Sequence, residues 1–224
     1  MISNDECKPN FEKSYKLAND ILVSSQVINS FPFSAKKLIN EISDMKCVNF
    51  KKAREYNVDI EAFGSESAVL IQQQNCKIIF YNEKEYKPRI RYSILHEGGH
   101  DKLKHVKDVT DRDLYQKQEV ETNFFAAQLL MPEQLIREFQ KRGKRVDVNF
   151  LIETFGVSKQ AAEKRIKTLN KNLNLTQEEK IFDDLIVQKY RIWLNSKIPE
   201  VNAINMFYDD EEKQKERENW SYNY

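Results

Sequence analysis

All three histidines of this 224-residue chain lie in the ten-residue segment His96-Glu97-Gly98-Gly99-His100-Asp101-Lys102-Leu103-Lys104-His105. On an α-helix, positions four apart lie nearly one above the other, so His96 and His100 can present two imidazole nitrogens to one metal ion. Glu97, about 100° around the helix from His96, is then placed at the rim to accept a proton from water. His105 is roughly half a turn out of phase, which makes it a poor third ligand.

A catalytic zinc site normally has three protein ligands, so an acidic residue is needed elsewhere in the chain. The segment from Gln118 to Pro132 is predicted to form a second helix that its proline ends. Two neighbouring stripes run along it at helical spacing. The predicted core stripe is Val120, Phe124, Ala127 and Met131, and the adjacent one is Glu119, Asn123, Ala126 and Leu130. A carboxylate beside a core stripe and small residues can approach a facing helix closely, so Glu119 is the predicted third ligand.

Two further polar residues of this helix have predicted roles. Asn123, one turn after Glu119, is expected to hydrogen-bond the far nitrogen of a ligand histidine and fix its tautomer. Glu121 points some 160° away from Glu119. It is the alternative third ligand, and otherwise a solvated or partner-facing charge.

These residues belong to two sequence blocks that together resemble the ImmA/IrrE family of zinc metallopeptidases. The first is Arg89-x-Arg91-Tyr92-Ser93-Ile94-Leu95-His96-Glu97-x-Gly99-His100, and the second is Glu119-x-Glu121-x-Asn123-x-Phe125-Ala126-Ala127-x-Leu129-Leu130-Met131-Pro132. The resemblance implies an α+β, zincin-like metallopeptidase core that binds Zn²⁺ and acts on a helix-turn-helix repressor protein. Relatives usually carry a larger apolar residue at the position of Gly98 and an alanine at that of Thr122. Adjacent helical glycines cost about 1 kcal/mol each relative to alanine, so a locally soft active-site helix is expected.

Composition and charge restrict the other classes of protein. The formal net charge is +1, so composition does not single out nucleic acid as a partner. The first residues show no signal-peptide pattern, and no window has the ~20 apolar residues that a membrane span needs. Cys7, Cys47 and Cys76 are widely spaced, which favours free thiols over disulfides. A cytoplasmic protein without membrane contact is expected.

Upstream of the histidines, the pattern predicts helices over residues 11–29 and 34–42. Residues 67–72 and 77–81 then form a hairpin with a polar connection. Pro88 suits the first turn of the histidine helix. The segment from Lys77 to Tyr81 is the candidate edge strand for pairing with an extended substrate, although the hairpin is equally compatible with a purely structural role.

Downstream of Pro132, residues 148–169 have the form helix, glycine turn, serine-capped helix, which resembles a helix-turn-helix. Lysines and an arginine make the second helix basic. Packing on a neighbouring domain is nevertheless favoured over DNA binding, because the motif is weak and the chain nearly neutral. The predicted division is a zincin-like domain at 1–132, a helix-turn-helix-like helical region at 133–172 and a helical C-terminal extension at 173–224. The extension ends in the charged run 209–218.

The resulting mechanistic hypothesis is a Zn²⁺-dependent endopeptidase in which Glu97 transfers the proton from water to the leaving amine. Four side chains could stabilise the oxyanion, and sequence does not choose among Tyr81, Tyr92, His105 and Tyr115. Two alternatives remain open. One is a non-proteolytic regulator that binds a repressor or DNA. The other, implied by the family resemblance, is the toxin component of a toxin-antitoxin pair.

Overall fold

The fold combines helices with one small three-stranded sheet in a computed structural model. The structure describes residues 8–73, 76–106, 109–169 and 177–198. The helices are α1 (Phe11–Ser24), α2 (Ala35–Ile42), α3 (Phe50–Glu55), α4 (Lys87–Lys102), α5 (Arg112–Leu130), α6 (Glu133–Lys141), α7 (Val148–Phe155), α8 (Lys159–Thr168), α9 (Gln177–Lys189) and α10 (Arg191–Lys197). The strands are β1 (Lys46–Asn49), β2 (Ala68–Gln73) and β3 (Cys76–Tyr81). The predicted α+β class is confirmed, and the charged run 209–218 lies outside the described residues.

Local sequence signals set the ends of the site-bearing helices. Pro88 lies in the first turn of α4, as predicted. Asp111 caps α5, because its side chain accepts hydrogen bonds from the backbone N–H groups of Asp113 and Leu114 at 2.8 and 3.1 Å. Such a cap satisfies N–H groups that have no partner within the helix. Local sequence therefore favours the starts of α4 and α5 where the structure has them.

The sheet has the strand order β1-β3-β2, with β1 parallel and β2 antiparallel to β3. The predicted hairpin of β2 and β3 is confirmed. The expectation that Lys77 to Tyr81 is an edge strand is wrong, because β1 pairs with β3 on its other side. Sequence reasoning missed β1, whose four residues are too few to show an alternating pattern. The edge that approaches α4 is β2.

Helix α4 lies between α2 and α5, and it also packs on β2 and β3. Its two glycines make these contacts close. A Cβ at Gly98 would lie 2.3 Å from Ile39 Cδ1, and one at Gly99 would lie 2.8 Å from Thr122 Cγ2 and 2.9 Å from the Phe125 ring. Both glycines are buried. They allow α4 to approach its neighbours, a role that the expectation of a soft helix did not include.

The larger of two hydrophobic clusters among the described residues joins α1 and α2, α4 to α8, and α9 and α10. Phe31, Phe139, Phe155 and Trp193 form an aromatic group within it, with ring centroids 5.0 to 6.4 Å apart. The helix pair α7 and α8 has the predicted glycine turn, since Gly156 ends α7 with a φ of 63°. The core thus draws on all three predicted segments, whose boundaries at 132 and 172 remain predictions. Among the described residues, no helix is both long and apolar enough to cross a bilayer.

Candidate metal centre

Helices α4 and α5 bring His96, His100 and Glu119 together. The two Nε2 atoms of His96 and His100 lie 3.1 Å apart. The carboxylate oxygens of Glu119 lie 3.4 Å from Nε2 of His96 and 3.3 Å from Nε2 of His100. Of the residues described, these three form the group of candidate metal ligands, and their donor atoms fall within 4.8 Å of one another.

These separations match the geometry of a tetrahedral zinc ion. With metal–ligand bonds of about 2.0–2.1 Å, neighbouring donor atoms lie roughly 3.3 Å apart. Two unprotonated imidazole nitrogens facing each other also repel unless a cation or proton lies between them. The donor set of two imidazoles and a carboxylate suits zinc. The three residues therefore fit a metal ion without rearrangement.

The electrostatics of the group favour an ionised Glu119. Hydrogen bonds from the Nε2–H groups of His100 and His96 hold the pKa of the Glu119 carboxyl well below its usual range, and a metal ion in place of those protons would act in the same direction. An anionic carboxylate is the form that binds a metal. The charge of Glu119 also raises the pKa of Tyr115, which lies one helical turn before it on α5.

Glu97 lies between the sheet and the three candidate metal ligands His96, His100 and Glu119, which we call the ligand group. Its Oε2 accepts a hydrogen bond from the backbone N–H of Leu70 on β2 at 3.0 Å. Burial raises the pKa of the Glu97 carboxyl, because the charged form loses hydration there. A raised pKa favours uptake of a proton by this carboxylate, and the bond to β2 fixes its orientation, as a general base requires.

Asn123 takes a different partner from the one predicted. Its Oδ1 accepts a hydrogen bond from the Tyr92 hydroxyl at 2.5 Å, and the Tyr92 ring stacks beside the His96 ring with centroids 6.2 Å apart. Nδ1 of His96 is buried without a hydrogen-bond partner among the described residues. Asn123 thus reaches the ligand group through Tyr92 and not by the expected direct bond to a histidine.

The residue that does contact a ligand histidine is His105. Its Nδ1 lies 3.0 Å from Nδ1 of His100, and its Nε2 lies 3.0 Å from Oε2 of Glu121. Glu121 is only 4% exposed, and its Oε1 accepts a hydrogen bond from the backbone N–H of Asn10 at 2.7 Å. The expectation of a solvated or partner-facing Glu121 is wrong. The sequence signals for this pair were the third histidine, His105, and the second glutamate of α5, Glu121.

The open side of the site is a cavity of about 880 Å³ that extends from His96 and Glu97 toward α8. Ala68 of β2 and Tyr92 of α4 also line it. A cavity of this size can hold several residues of an extended peptide. The edge of β2 would then lie alongside such a peptide.

Comparison with known proteins agrees with this geometry. The Peptidase M78 family model, described as an IrrE N-terminal-like domain, matches residues 48–167. The chain belongs to this family. The matched range covers more than half of the 224 residues and runs from β1 through α8, so the M78 domain includes both the ligand helices and the α7–α8 pair. A search of curated proteins gives no match. Membership in M78 indicates a metallopeptidase-type protein and agrees with the resemblance seen in the two sequence blocks.

Proposed function

We propose that this protein is a zinc-dependent endopeptidase that cleaves a helix-turn-helix transcriptional repressor and so derepresses its genes. The convergence of His96, His100 and Glu119 beside the buried Glu97 is the observation that carries the proposal. The repressor as substrate rests on the resemblance to ImmA/IrrE proteins. A cytoplasmic location, where such a repressor would be found, is part of the same proposal.

His96, His100 and Glu119 would hold the ion, and His105 would orient His100. Bound zinc would supply Lewis-acid chemistry, which acidifies water and polarises a peptide carbonyl. Glu97 accepts the proton of the attacking water and passes it to the leaving amine. The Leu70 N–H keeps the Glu97 carboxylate directed at the cleft during both transfers.

The substrate would bind as an extended strand along β2. The N–H of Leu70 points away from β3, since it donates to Glu97, so β2 has an outward edge at this position. Ala68, two residues earlier, has the same orientation in the strand and lines the cavity. Main-chain pairing to this edge would place one substrate carbonyl over the ligand group.

Tyr115 is the best placed of the four candidate oxyanion donors. The Tyr92 hydroxyl donates to Asn123, the Tyr81 hydroxyl accepts from Lys36 Nζ at 3.0 Å, and His105 is engaged by Glu121. Tyr115 is 52% exposed and lies one turn from Glu119. Its hydroxyl has no hydrogen bond among the described residues, so it is available to a substrate.

The test is incubation of the zinc-loaded protein with the repressor encoded next to its own gene, followed by mass spectrometry of the products. We expect a defined cleavage that Glu97→Gln abolishes while the bound zinc is retained. Glu119→Ala is expected to lose the metal, and Glu153→Ala, at an exposed position of α7 that does not line the cavity, serves as the surface control. Full cleavage by the Glu97→Gln variant would reject the peptidase mechanism. Derepression without cleavage would instead favour a non-proteolytic regulator.

A further inference from the structure

The cavity that begins at His96 and Glu97 ends against α8, where its lining becomes basic. Lys164 and Lys167 line this end. They are three residues apart on one helix and so lie on the same face. Both side chains are exposed, and neither forms a hydrogen bond or an ion pair with another described residue. The overall charge of +1 makes this local excess of positive charge a property of the cleft and not of the whole chain.

Other charges on the same elements are already compensated. Lys159 of α8 lies 3.9 Å from Glu163 and does not line the cavity. Arg89, which does line it, lies 3.6 Å from Glu85, also part of the lining. The unpaired positive charge is therefore concentrated at Lys164 and Lys167.

A third cation, Arg165, lies beside the two lysines on α8 and is buried. Arg165 is 1% exposed and is part of the cavity lining. Its guanidinium donates to the Met131 carbonyl at 3.0 Å and to the Gln128 side-chain oxygen, both neutral, and its Nη1 has no partner. Burial lowers the pKa of Arg165 to about 10. The carboxylate of Glu133 acts on Arg165 from nearby but is already paired with Arg137. Burying a cation without a carboxylate of its own is costly, and an anion bound in the adjacent cleft would offset part of that cost.

We propose that Lys164, Arg165 and Lys167 form a subsite for acidic side chains of the polypeptide substrate. The proposal rests on the proposed function, in which this cleft binds an extended peptide along β2. A chain that leaves the ligand group along the cavity meets α8 at the lysine pair. Aspartate or glutamate residues on one side of the scissile bond would then be selected.

An acidic peptide fits these observations better than a nucleic acid does. The carboxylates of Glu85 and Glu97 line the same cavity and would repel a phosphate backbone, which is charged along its whole length. A peptide whose acidic residues lie only at the α8 end places neutral groups beside these carboxylates. The lysines also face a concave cleft that leads to the ligand group, whereas a DNA-reading helix must project into a groove. The basic character of α8 is thus explained without DNA.

Binding of labelled peptides to the zinc-loaded Glu97→Gln variant tests the subsite without cleavage. Fluorescence anisotropy would compare a short peptide containing glutamates with the same peptide carrying lysines instead. We expect the acidic peptide to bind about tenfold more tightly, with an advantage that shrinks as salt is added. Adding Lys164→Glu and Lys167→Glu together should reverse the preference, while Lys159→Glu, on the same helix outside the cleft, should preserve it.

Three outcomes would overturn the subsite. The first is that the Glu97→Gln protein shows no preference, because it binds neither peptide or binds both equally. The second is that Lys159→Glu has the same effect as the double reversal. The double reversal could also abolish binding to a DNA duplex while acidic-peptide binding persists, which would assign α8 to nucleic acid. Thermal unfolding of each variant checks that the fold is intact. Because cleavage is measured separately on the wild type, failure of the peptidase and failure of the subsite give different results.

Discussion

His105 joins the buried carboxylate of Glu121 to the ligand group, with His105 Nε2 3.0 Å from Glu121 Oε2 and His105 Nδ1 3.0 Å from His100 Nδ1. Glu121, once ionised, only accepts hydrogen bonds. His105 must then carry its proton on Nε2 and accept at Nδ1. Thr122 Oγ1 also lies 3.2 Å from this Nδ1 but donates its own proton to the Gln118 carbonyl, so His100 is the donor and carries its proton on Nδ1. This tautomer leaves the His100 Nε2 lone pair free to bind a metal.

Glu121→Gln is expected to reverse that chain of tautomers. The new amide would still accept from the Asn10 N–H through its oxygen, but its NH₂ would donate to His105. The proton would then move to Nδ1 of His105 and to Nε2 of His100, the atom that must face the ion. We expect zinc affinity to fall about 10–100-fold, measured by competition with a chromogenic chelator.

The metal-free form of the same variant gives the control. Its melting temperature should change little, because the Asn10 contact persists. A large loss of stability with unchanged zinc affinity would show that Glu121 supports only the fold.

Gly99→Ala and Gly98→Ala form a matched pair on adjacent positions of α4. Alanine should stabilise an exposed helix by about 1 kcal/mol relative to glycine, but both sites are buried. At Gly98 the added methyl meets Ile39 Cδ1, the end of a flexible side chain that can rotate away. At Gly99 it meets Thr122 and the Phe125 ring on α5, so α4 and α5 must separate.

We therefore expect Gly99→Ala to lower both the melting temperature and zinc affinity, because His100 moves away from Glu119. Gly98→Ala should have a much smaller effect on both. Thermal unfolding with and without zinc measures the two quantities, and equal effects at the two positions would contradict the packing argument.

Tyr115→Phe removes the proposed oxyanion donor while keeping the ring. The hydroxyl would act mainly in the transition state, so kcat should fall about 100-fold with little change in KM. Tyr81→Phe is the comparison, since its hydroxyl already bonds Lys36. Steady-state cleavage of one peptide substrate distinguishes them. An unchanged kcat for Tyr115→Phe would show that another group stabilises the oxyanion.

The sequence predicted the grouping of His96, His100 and Glu119 more accurately than the packing around it. Helical spacing placed His96 and His100 together, and Glu119 lies with them. The predicted core stripe of α5 is nevertheless displaced, because Val120 is 40% exposed while Glu121 is buried. Helix α5 packs against both α1 and α4, so its buried surface is wide and includes polar residues.

A stripe of apolar residues in the sequence cannot reveal such a buried surface. The polar residues of the surface are buried because they pair with one another. His105 and Glu121 are an example. Each residue alone is typical of a solvated surface, and only their contact in the folded protein shows that they form a pair. The position of β2 at the sheet edge was equally hidden, because it depends on β1, which carries no pattern of its own.

Leu70→Pro tests whether the edge strand positions Glu97. Proline removes the N–H that bonds Glu97 Oε2, and an outward-facing position of an edge strand is where proline is tolerated in a sheet. Glu97 should lose its orientation while His96, His100 and Glu119 stay in place, so we expect kcat to fall at least about tenfold with zinc affinity unchanged. Leu70→Ala keeps the N–H and loses the side chain, so it should retain activity. If both variants lose activity equally, the side chain of Leu70 and not its N–H supports the site, and the role assigned to β2 in holding the base is wrong.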